Sequence, residues 1–144
     1  MILADVNILV YSFDSMSAHH DRYLSWLNRA VSGADSFALV DTVLSGFLRV
    51  ISNPAIYASP APVSEALAFV DQLIEAPASV WLPGSSAAWR KLAELASDDS
   101  AIRGKLIPDA YLASLAIANG ATLATADRGF SRYPGLNWFD PARP

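Results

Sequence analysis

The sequence predicts a single α/β domain, residues 1–144, in which helices flank a central and mainly parallel sheet of four to five strands. Two observations lead to this prediction. The length of 144 residues is usual for one domain, and no repeat, linker or low-complexity segment divides the chain. Short apolar runs of strand length alternate with longer segments of helical periodicity, which is typical of a parallel sheet joined by crossover helices.

Each strand is predicted from a short apolar run that stops at a polar residue or a turn. The first run ends at Asp5 and the second at Asp41, while the third exits through Pro83 and Gly84. In chain order the predicted strands are residues 2–4, 37–40, 80–82, 121–125 and 137–139.

Helices are predicted where apolar residues recur at the spacing of one helical face. His19 and His20 mark a helix start rather than a metal pair, because adjacent helical residues face different directions. Ser64 is interpreted as an N-cap, and Pro108 suits the first position of the last helix. In chain order the apolar stripes span residues 8–11, 23–31, 43–51, 67–74, 89–96 and 112–116.

The composition excludes several classes of protein. With 53% hydrophobic and 17% charged residues, the chain has enough apolar surface to fold, which excludes intrinsic disorder. No uncharged run supplies the roughly 20 unbroken apolar residues of a membrane span, and no signal peptide is recognised, so we expect a cytoplasmic protein without membrane contact. The absence of cysteine excludes disulfides and thiolate chemistry.

The charge and the apolar surplus indicate what the surface can bind. A formal net charge of −4 argues against nonspecific wrapping of a polyanion, but not against a localised nucleic-acid site. The surplus of apolar residues favours a surface covered by a partner. The tryptophans lie on apolar stripes or strands, and we predict core or interface positions, not base-stacking platforms, for Trp26, Trp81, Trp89 and Trp138.

Four aspartates from distant parts of the chain are predicted to meet at one edge of the sheet. Asp5, Asp41 and Asp127 each follow a predicted strand, and ligand sites in open α/β sheets lie outside the carboxyl ends of the strands. Asp109 lies in the first turn of a crossover helix, which begins at that same edge. Local structural roles remain as alternatives to metal binding. Asp5 and Asp41 could be helix N-caps, and Asp109 could complement the helix dipole. Asp127 could equally be an ordinary turn residue.

A cluster of carboxylates needs a cation or protons, because neighbouring negative charges repel each other. Oxygen ligands without cysteine or histidine suit Mg²⁺ or Mn²⁺ rather than zinc. A pair of such ions supports phosphodiester hydrolysis: one helps to form the attacking hydroxide and the other stabilises the leaving oxygen. Bound divalent ions also reverse the sign of an acidic pocket, so that it can accept a phosphate backbone.

Three segments resemble the PIN-domain ribonucleases, and more narrowly the VapC-type toxins of type II toxin–antitoxin modules. They are DVNIL at residues 5–9, PDAYLA at residues 108–113 and ATADRGF at residues 124–130. Their order and spacing extend the resemblance over nearly the whole chain. The resemblance implies one PIN-like domain in which Asp5, Asp109 and Asp127 are metal ligands. It also implies that Asn7 and Thr125 are polar neighbours that support the site.

The resemblance further implies an Mg²⁺- or Mn²⁺-dependent endoribonuclease that acts as the toxin of a VapBC-type module. A VapB-like antitoxin would hold it inactive, and a homodimer is implied as well. In-line attack by a metal-activated water would leave a 5′ phosphate and a 3′ hydroxyl on the RNA. Three basic residues near the aspartates in sequence could contact flanking phosphates, or could equally be solvated loop residues: Arg103, Lys105 and Arg128.

One position departs from the family pattern, which has a glutamate in the helix after the second strand where this chain has Gly46. Glycine in a helix costs about 1 kcal/mol relative to alanine, an odd choice for packing alone. We interpret it as room for water, metal or substrate, and hypothesise that Asp41 supplies the missing carboxylate. The alternative is a catalytically impaired PIN-like module that binds RNA or protein. A phosphoacceptor domain is disfavoured, because no lysine follows the fourth strand.

Overall fold

Five parallel strands in the order β3-β2-β1-β4-β5 form the centre of the computed structural model, which describes residues 1–143. The predicted α/β architecture is confirmed. The strands are β1 (Ile2–Ala4), β2 (Phe37–Leu39), β3 (Ser79–Trp81), β4 (Thr122–Ala124) and β5 (Asn137–Phe139). The helices are α1 (Val6–Phe13), α2 (His20–Ser32), α3 (Asp41–Ile51), α4 (Val63–Glu75), α5 (Ser86–Asp98) and α6 (Ile107–Ala118).

The predicted elements are present, with ends that differ by a few residues. Ser64 is not the N-cap of α4, because the helix already begins at Val63. The carbonyl of Pro62 accepts the first helical hydrogen bond, from the Ala66 amide at 3.2 Å, so Pro62 takes the capping position. No helix within residues 1–143 has the length and apolar character that crossing a membrane requires.

The chain winds in opposite directions from the centre of the sheet. From β1 it passes to β2 and β3 on one side, and it later reaches β4 and β5 on the other. β1 and β4 pair in register from Ile2 with Thr122 to Ala4 with Ala124. The connections that leave these two strands diverge, which opens a crevice at their carboxyl ends, the usual ligand position in open α/β sheets.

The central strands and α6 form the most deeply buried part of the fold. Leu3 of β1 and Leu123 of β4 are fully buried. On α6 the side chains of Ala110, Ala113 and Ala116 are also fully buried, and their small size lets the helix pack closely against β4 and α5. This packing fixes the first turn of α6 at the carboxyl edge of the sheet.

Gly46 has a packing reason, contrary to the expectation from the sequence. It lies in α3, which packs against α1, and a Cβ at this position would be 2.9 Å from Cγ2 of Val6. Such a short contact cannot persist without a shift, so the methyl group of Val6 takes the space that a side chain would need. The glycine therefore permits the close approach of the two helices.

We expect Gly46→Ala to destabilise the protein by about 1 kcal/mol, because overpacking against Val6 outweighs the helix-propensity gain of alanine. In a Val6→Ala background the same substitution meets no methyl group and should stabilise by up to about 1 kcal/mol. Urea unfolding of the four proteins measures both values. Equal effects of Gly46→Ala in the two backgrounds would contradict this explanation, because distant sites add independently.

Candidate active site

Asp5 lies directly after β1 and joins the end of this strand to the start of α1. As the N-cap of α1, it accepts a hydrogen bond at Oδ1 from the Val6 amide at 2.7 Å. Its Oδ2 accepts hydrogen bonds from Asn7 Nδ2 at 2.6 Å and from Thr125 Oγ1 at 2.7 Å. The residue is 7% exposed, so these donors replace most of its hydration. The predicted capping role is confirmed, and it uses one of the two carboxylate oxygens.

Asn7 and Thr125 connect this carboxylate to the end of β4. Asn7 Nδ2 also donates to Thr125 Oγ1 at 3.2 Å, and its Oδ1 accepts a hydrogen bond from the Ala126 amide at 3.2 Å. Thr125 Oγ1 accepts a hydrogen bond from the Asp127 amide at 3.0 Å and donates to Asp5. Asn7 and Thr125 are 118 positions apart in the sequence, so the network forms only when β1 and β4 pair.

Asp109 and Asp127 reach the same edge from two other elements. α6 begins at Ile107, one residue earlier than predicted, because a 3₁₀ turn leads directly into it. Asp109 therefore lies half-buried in its first turn. Asp127 is exposed and caps the 3₁₀ helix Arg128–Arg132, where its Oδ1 accepts a hydrogen bond from the Gly129 amide at 2.7 Å.

Two cavities meet at these carboxylates. A cavity of about 380 Å³ is lined by Asp5, Asp109 and Asp127 together with Asn7. A larger cavity of about 720 Å³ is bordered by Asp5 and Asp109 and extends between α3, α5 and the start of α6. The structure thus brings together three of the four predicted aspartates and places space for a ligand beside them.

Burial and mutual repulsion disfavour the charged forms of these carboxyl groups. Burial is the main cause that raises the pKa of Asp5 to about 6. The hydrogen bonds from Thr125 and Val6 lower this pKa, but by less than burial raises it. The negative charges of Asp109 and Asp127 add to the increase. The pKa of Asp109 is raised as well, first by burial and then by the charge of Asp127. A cation bound among them would favour the charged forms.

The donor set suits Mg²⁺ without forming a closed cage. Within residues 1–143, no group of three or more His, Cys, Asp or Glu side chains is arranged so that it could hold a metal ion by itself. Mg²⁺ is usually held by one or two carboxylates, with waters and substrate phosphates in the remaining positions. Asp5 and Asp109, which border both cavities, fit that mode of binding, and Asp127 lies beside them on the smaller cavity.

Asp41 stands apart from this group. It is exposed and lines neither cavity. Its predicted N-cap role is wrong, because α3 already begins at Asp41 and Val40 is the N-cap. β2 pairs with β1 on the side away from β4, so the residue that follows β2 is one strand removed from the crevice. The hypothesis that Asp41 replaces a family glutamate therefore rests on its position at the sheet edge.

Arg49 is a basic residue that lines the larger cavity, and it was not among the candidate site residues predicted from the sequence. Its side chain is exposed and makes no ion pair with any residue of the described chain. Arg103, Lys105 and Arg128 are also exposed, but they line neither cavity. Arg49 could have been identified from the sequence, because it lies with Gly46 on the polar face of α3.

The tryptophans differ in burial. Trp26 and Trp138 are half-buried against the core, as predicted. Trp89 is 60% exposed and lines the larger cavity, with its ring centroid 5.0 Å from that of Tyr111. Trp81 is 53% exposed on the edge strand β3 and lines neither cavity. A core position is therefore wrong for Trp81 and Trp89, because more than half of each residue is exposed, and an interface position stays a prediction for both.

Comparisons with known proteins agree with this arrangement. Residues 2–136 match the family model described as PIN domain. The chain belongs to the PIN-domain family. Ribonuclease VapC43 from Mycobacterium tuberculosis is 38% identical over 141 residues, which cover 98% of this chain and 95% of that protein. Ribonuclease VapC37 from the same organism is 30% identical over 141 residues, which cover 98% and 97% of the two chains.

A solved structure shares the fold of this PIN domain. The crystal structure of VapBC2 from Rickettsia felis, bound to a DNA fragment from their promoter, contains a chain with a TM-score of 0.71 and 24% identity. The match covers 97% of this chain and 98% of that chain. Both of these sequence relatives are named ribonucleases.

We expect the unfolding free energy of the metal-free PIN domain to fall as the pH rises from about 4 to about 6. The pKa of Asp5 in the folded state, about 6, exceeds its ordinary value of 3.8, so the folded state binds this proton more tightly than the unfolded state. The stability from this proton is complete below the ordinary pKa and is lost as the pH passes the folded pKa. The loss is on the order of 3 kcal/mol.

Urea unfolding in chelator across this pH range measures the effect, with Asp5→Asn as the control. The variant lacks the titrating group, so its free energy of unfolding should change less with pH than that of the wild type. Parallel pH curves for the two proteins would show that Asp5 does not titrate with a raised pKa.

Proposed function

We propose that this protein is an Mg²⁺- or Mn²⁺-dependent endoribonuclease and the toxin of a VapBC-type module. The observation that carries the proposal is the arrangement of Asp5, Asp109 and Asp127 around one cavity, beside the paired ends of β1 and β4. The ribonuclease names of full-length relatives support RNA as the substrate. A cytoplasmic location is part of the same proposal.

In this proposal Asp5 and Asp109 hold the divalent ion, and Asp127 completes the acidic border. When bound, the ion activates water and stabilises the charge that develops on the phosphate and the leaving oxygen. The protein contributes position: the donors Asn7 and Thr125 fix Oδ2 of Asp5, as hydrogen bonds to metal-binding carboxylates generally do. Hydrolysis by in-line attack leaves a 5′ phosphate and a 3′ hydroxyl.

The proposal includes basic side chains that bind the RNA phosphates on either side of the cleaved bond. Arg103 and Lys105 lie just before α6, and Arg128 follows Asp127. All three are exposed, as phosphate-binding side chains must be to meet an RNA backbone.

A VapB-like antitoxin and a homodimer are further parts of the proposal. The related Rickettsia felis structure is a VapBC complex, which supports an antitoxin partner. α4 and β3, which contact each other, both expose large apolar side chains to solvent. Exposed apolar surface of this kind favours a protein partner. The side chains are Val63, Leu67 and Ile74 on α4 and Val80 and Trp81 on β3.

The alternative, a catalytically impaired binding module, has less support. It depended on Gly46 as a sign of lost catalysis, and the contact with Val6 gives this glycine a packing explanation. The three aspartates of the proposed site line one cavity, which supports the nuclease proposal instead.

We expect Asp5→Asn and Asp109→Asn each to reduce cleavage of single-stranded RNA by about 100-fold or more, because each removes charge from the proposed ion site. Chelator should abolish wild-type cleavage, and mapping of the products should give 5′ phosphate ends. Products with 2′,3′-cyclic phosphate ends, or cleavage that survives chelator, would contradict the proposal.

Asp41→Asn serves as the matched control, because Asp41 is a carboxylate at the same sheet edge that lines neither cavity. We expect it to reduce cleavage by less than about tenfold. A loss as large as that of Asp109→Asn, together with weaker Mn²⁺ binding in calorimetry, would instead place Asp41 in the site.

We expect Thr125→Val to weaken Mn²⁺ binding by about 10- to 100-fold, because it removes the hydroxyl that orients Asp5. Thr125→Ser keeps that hydroxyl and should bind Mn²⁺ nearly as the wild type does. Isothermal titration calorimetry gives both affinities without requiring cleavage. Equal affinities for the Val and Ser variants would show that the hydroxyl has no positioning role.

A further inference from the structure

Both cavities adjoin the proposed cleavage site. Asp5 and Asp109 border both of them, so the carboxylates stand where the cavities meet. An RNA strand whose phosphate reaches these carboxylates can place a neighbouring nucleotide in either cavity. The larger cavity, about 720 Å³, has the volume of a site for a small ligand such as one nucleotide.

Trp89 offers a flat aromatic surface in the larger cavity. Trp89 is 60% exposed and lines this cavity, so part of its side chain is accessible to a ligand there. Tyr111 packs beside it, with 5.0 Å between ring centroids and 43° between ring planes. The Tyr111 hydroxyl in turn occupies the space above Gly84, where a Cβ would lie 2.6 Å from it. Gly84 therefore leaves room for Tyr111, whose ring packs against the indole.

The larger cavity also contains charge suited to a phosphate. Arg49 lines it and makes no ion pair among residues 1–143, so its guanidinium is available to a ligand. The smaller cavity has no basic residue in its lining. An aromatic face, an available cation and the proposed cleavage site thus border the same space.

We propose that the larger cavity is a nucleotide subsite for single-stranded RNA, in which Trp89 stacks on an unpaired base and Arg49 binds a phosphate beside it. The inference rests on the proposed ribonuclease function and names how its substrate is held. Bases stack on exposed aromatic side chains with little dependence on sequence, because every base has a π-face. A phosphate contact from arginine adds affinity that depends on salt and not on the base.

The test is RNA affinity, measured by fluorescence anisotropy with a short labelled single-stranded RNA. An Asp5→Asn background in the presence of Mg²⁺ prevents cutting. We expect Trp89→Ala to weaken binding by about 5- to 100-fold, and Trp89→Phe to keep most of the affinity, because a smaller ring still stacks. Binding of a base-free ribose-phosphate strand of equal length should not change in Trp89→Ala. That difference assigns the loss to the base.

Two further variants serve as a control for Trp89 and as a test of Arg49. Trp81→Ala removes a tryptophan of similar exposure outside both cavities and should leave RNA affinity unchanged. Arg49→Gln should weaken binding of the RNA and of the base-free strand alike, and should lower the slope of log affinity against log salt by about 1. Equal slopes for Arg49→Gln and wild type would remove Arg49 from the proposal.

Unchanged RNA affinity in Trp89→Ala overturns the stacking proposal. If that variant also dissociates a dimer or loses antitoxin binding, the indole belongs to a protein interface instead. Loss of affinity for both strands would assign Trp89 a structural role and would overturn the proposal as well. Failure of the wild type to cut RNA would count against the proposed function, whereas the binding comparison does not depend on cutting.

Discussion

The carboxylate of Asp5 is the group on which the rest of the site depends. Burial of a charge is costly unless donors replace the lost water, and Asp5 obtains them from the Val6 amide and from the side chains of Asn7 and Thr125. These donors do not fully offset burial, since the pKa of Asp5 is raised to about 6. The folded protein thus disfavours the charged form of Asp5 when no cation is bound, and a bound cation would favour that form.

Because of these hydrogen bonds, the site forms only when the sheet has folded. Thr125 follows β4 and Asn7 lies in α1, so the network closes only after β1 and β4 have paired in register. Asp109 depends on a different contact, the close packing of the alanine-rich face of α6 against β4 and α5. Two different contacts, both of which involve β4, therefore position the two carboxylates that border both cavities.

Gly46 has an explanation in helix packing. The resemblance to PIN-domain ribonucleases implied a glutamate at this position. In the structure the glycine lets α3 approach Val6, the residue whose amide donates a hydrogen bond to the carboxylate of Asp5. A larger side chain there would press on the residue next to Asp5. The position therefore affects the site through helix packing.

The sequence by itself determined the α/β class, the order of elements and the placement of aspartates after strands or in a first helical turn. These features follow from local periodicity and from residues adjacent in the chain. Tertiary structure decided that Asp5, Asp109 and Asp127 share a cavity while Asp41 does not, because strand order is a long-range property. It also decided that Trp89 is exposed in the cavity that Arg49 lines, since burial depends on which elements pack against a helix face and not on the apolar stripe itself.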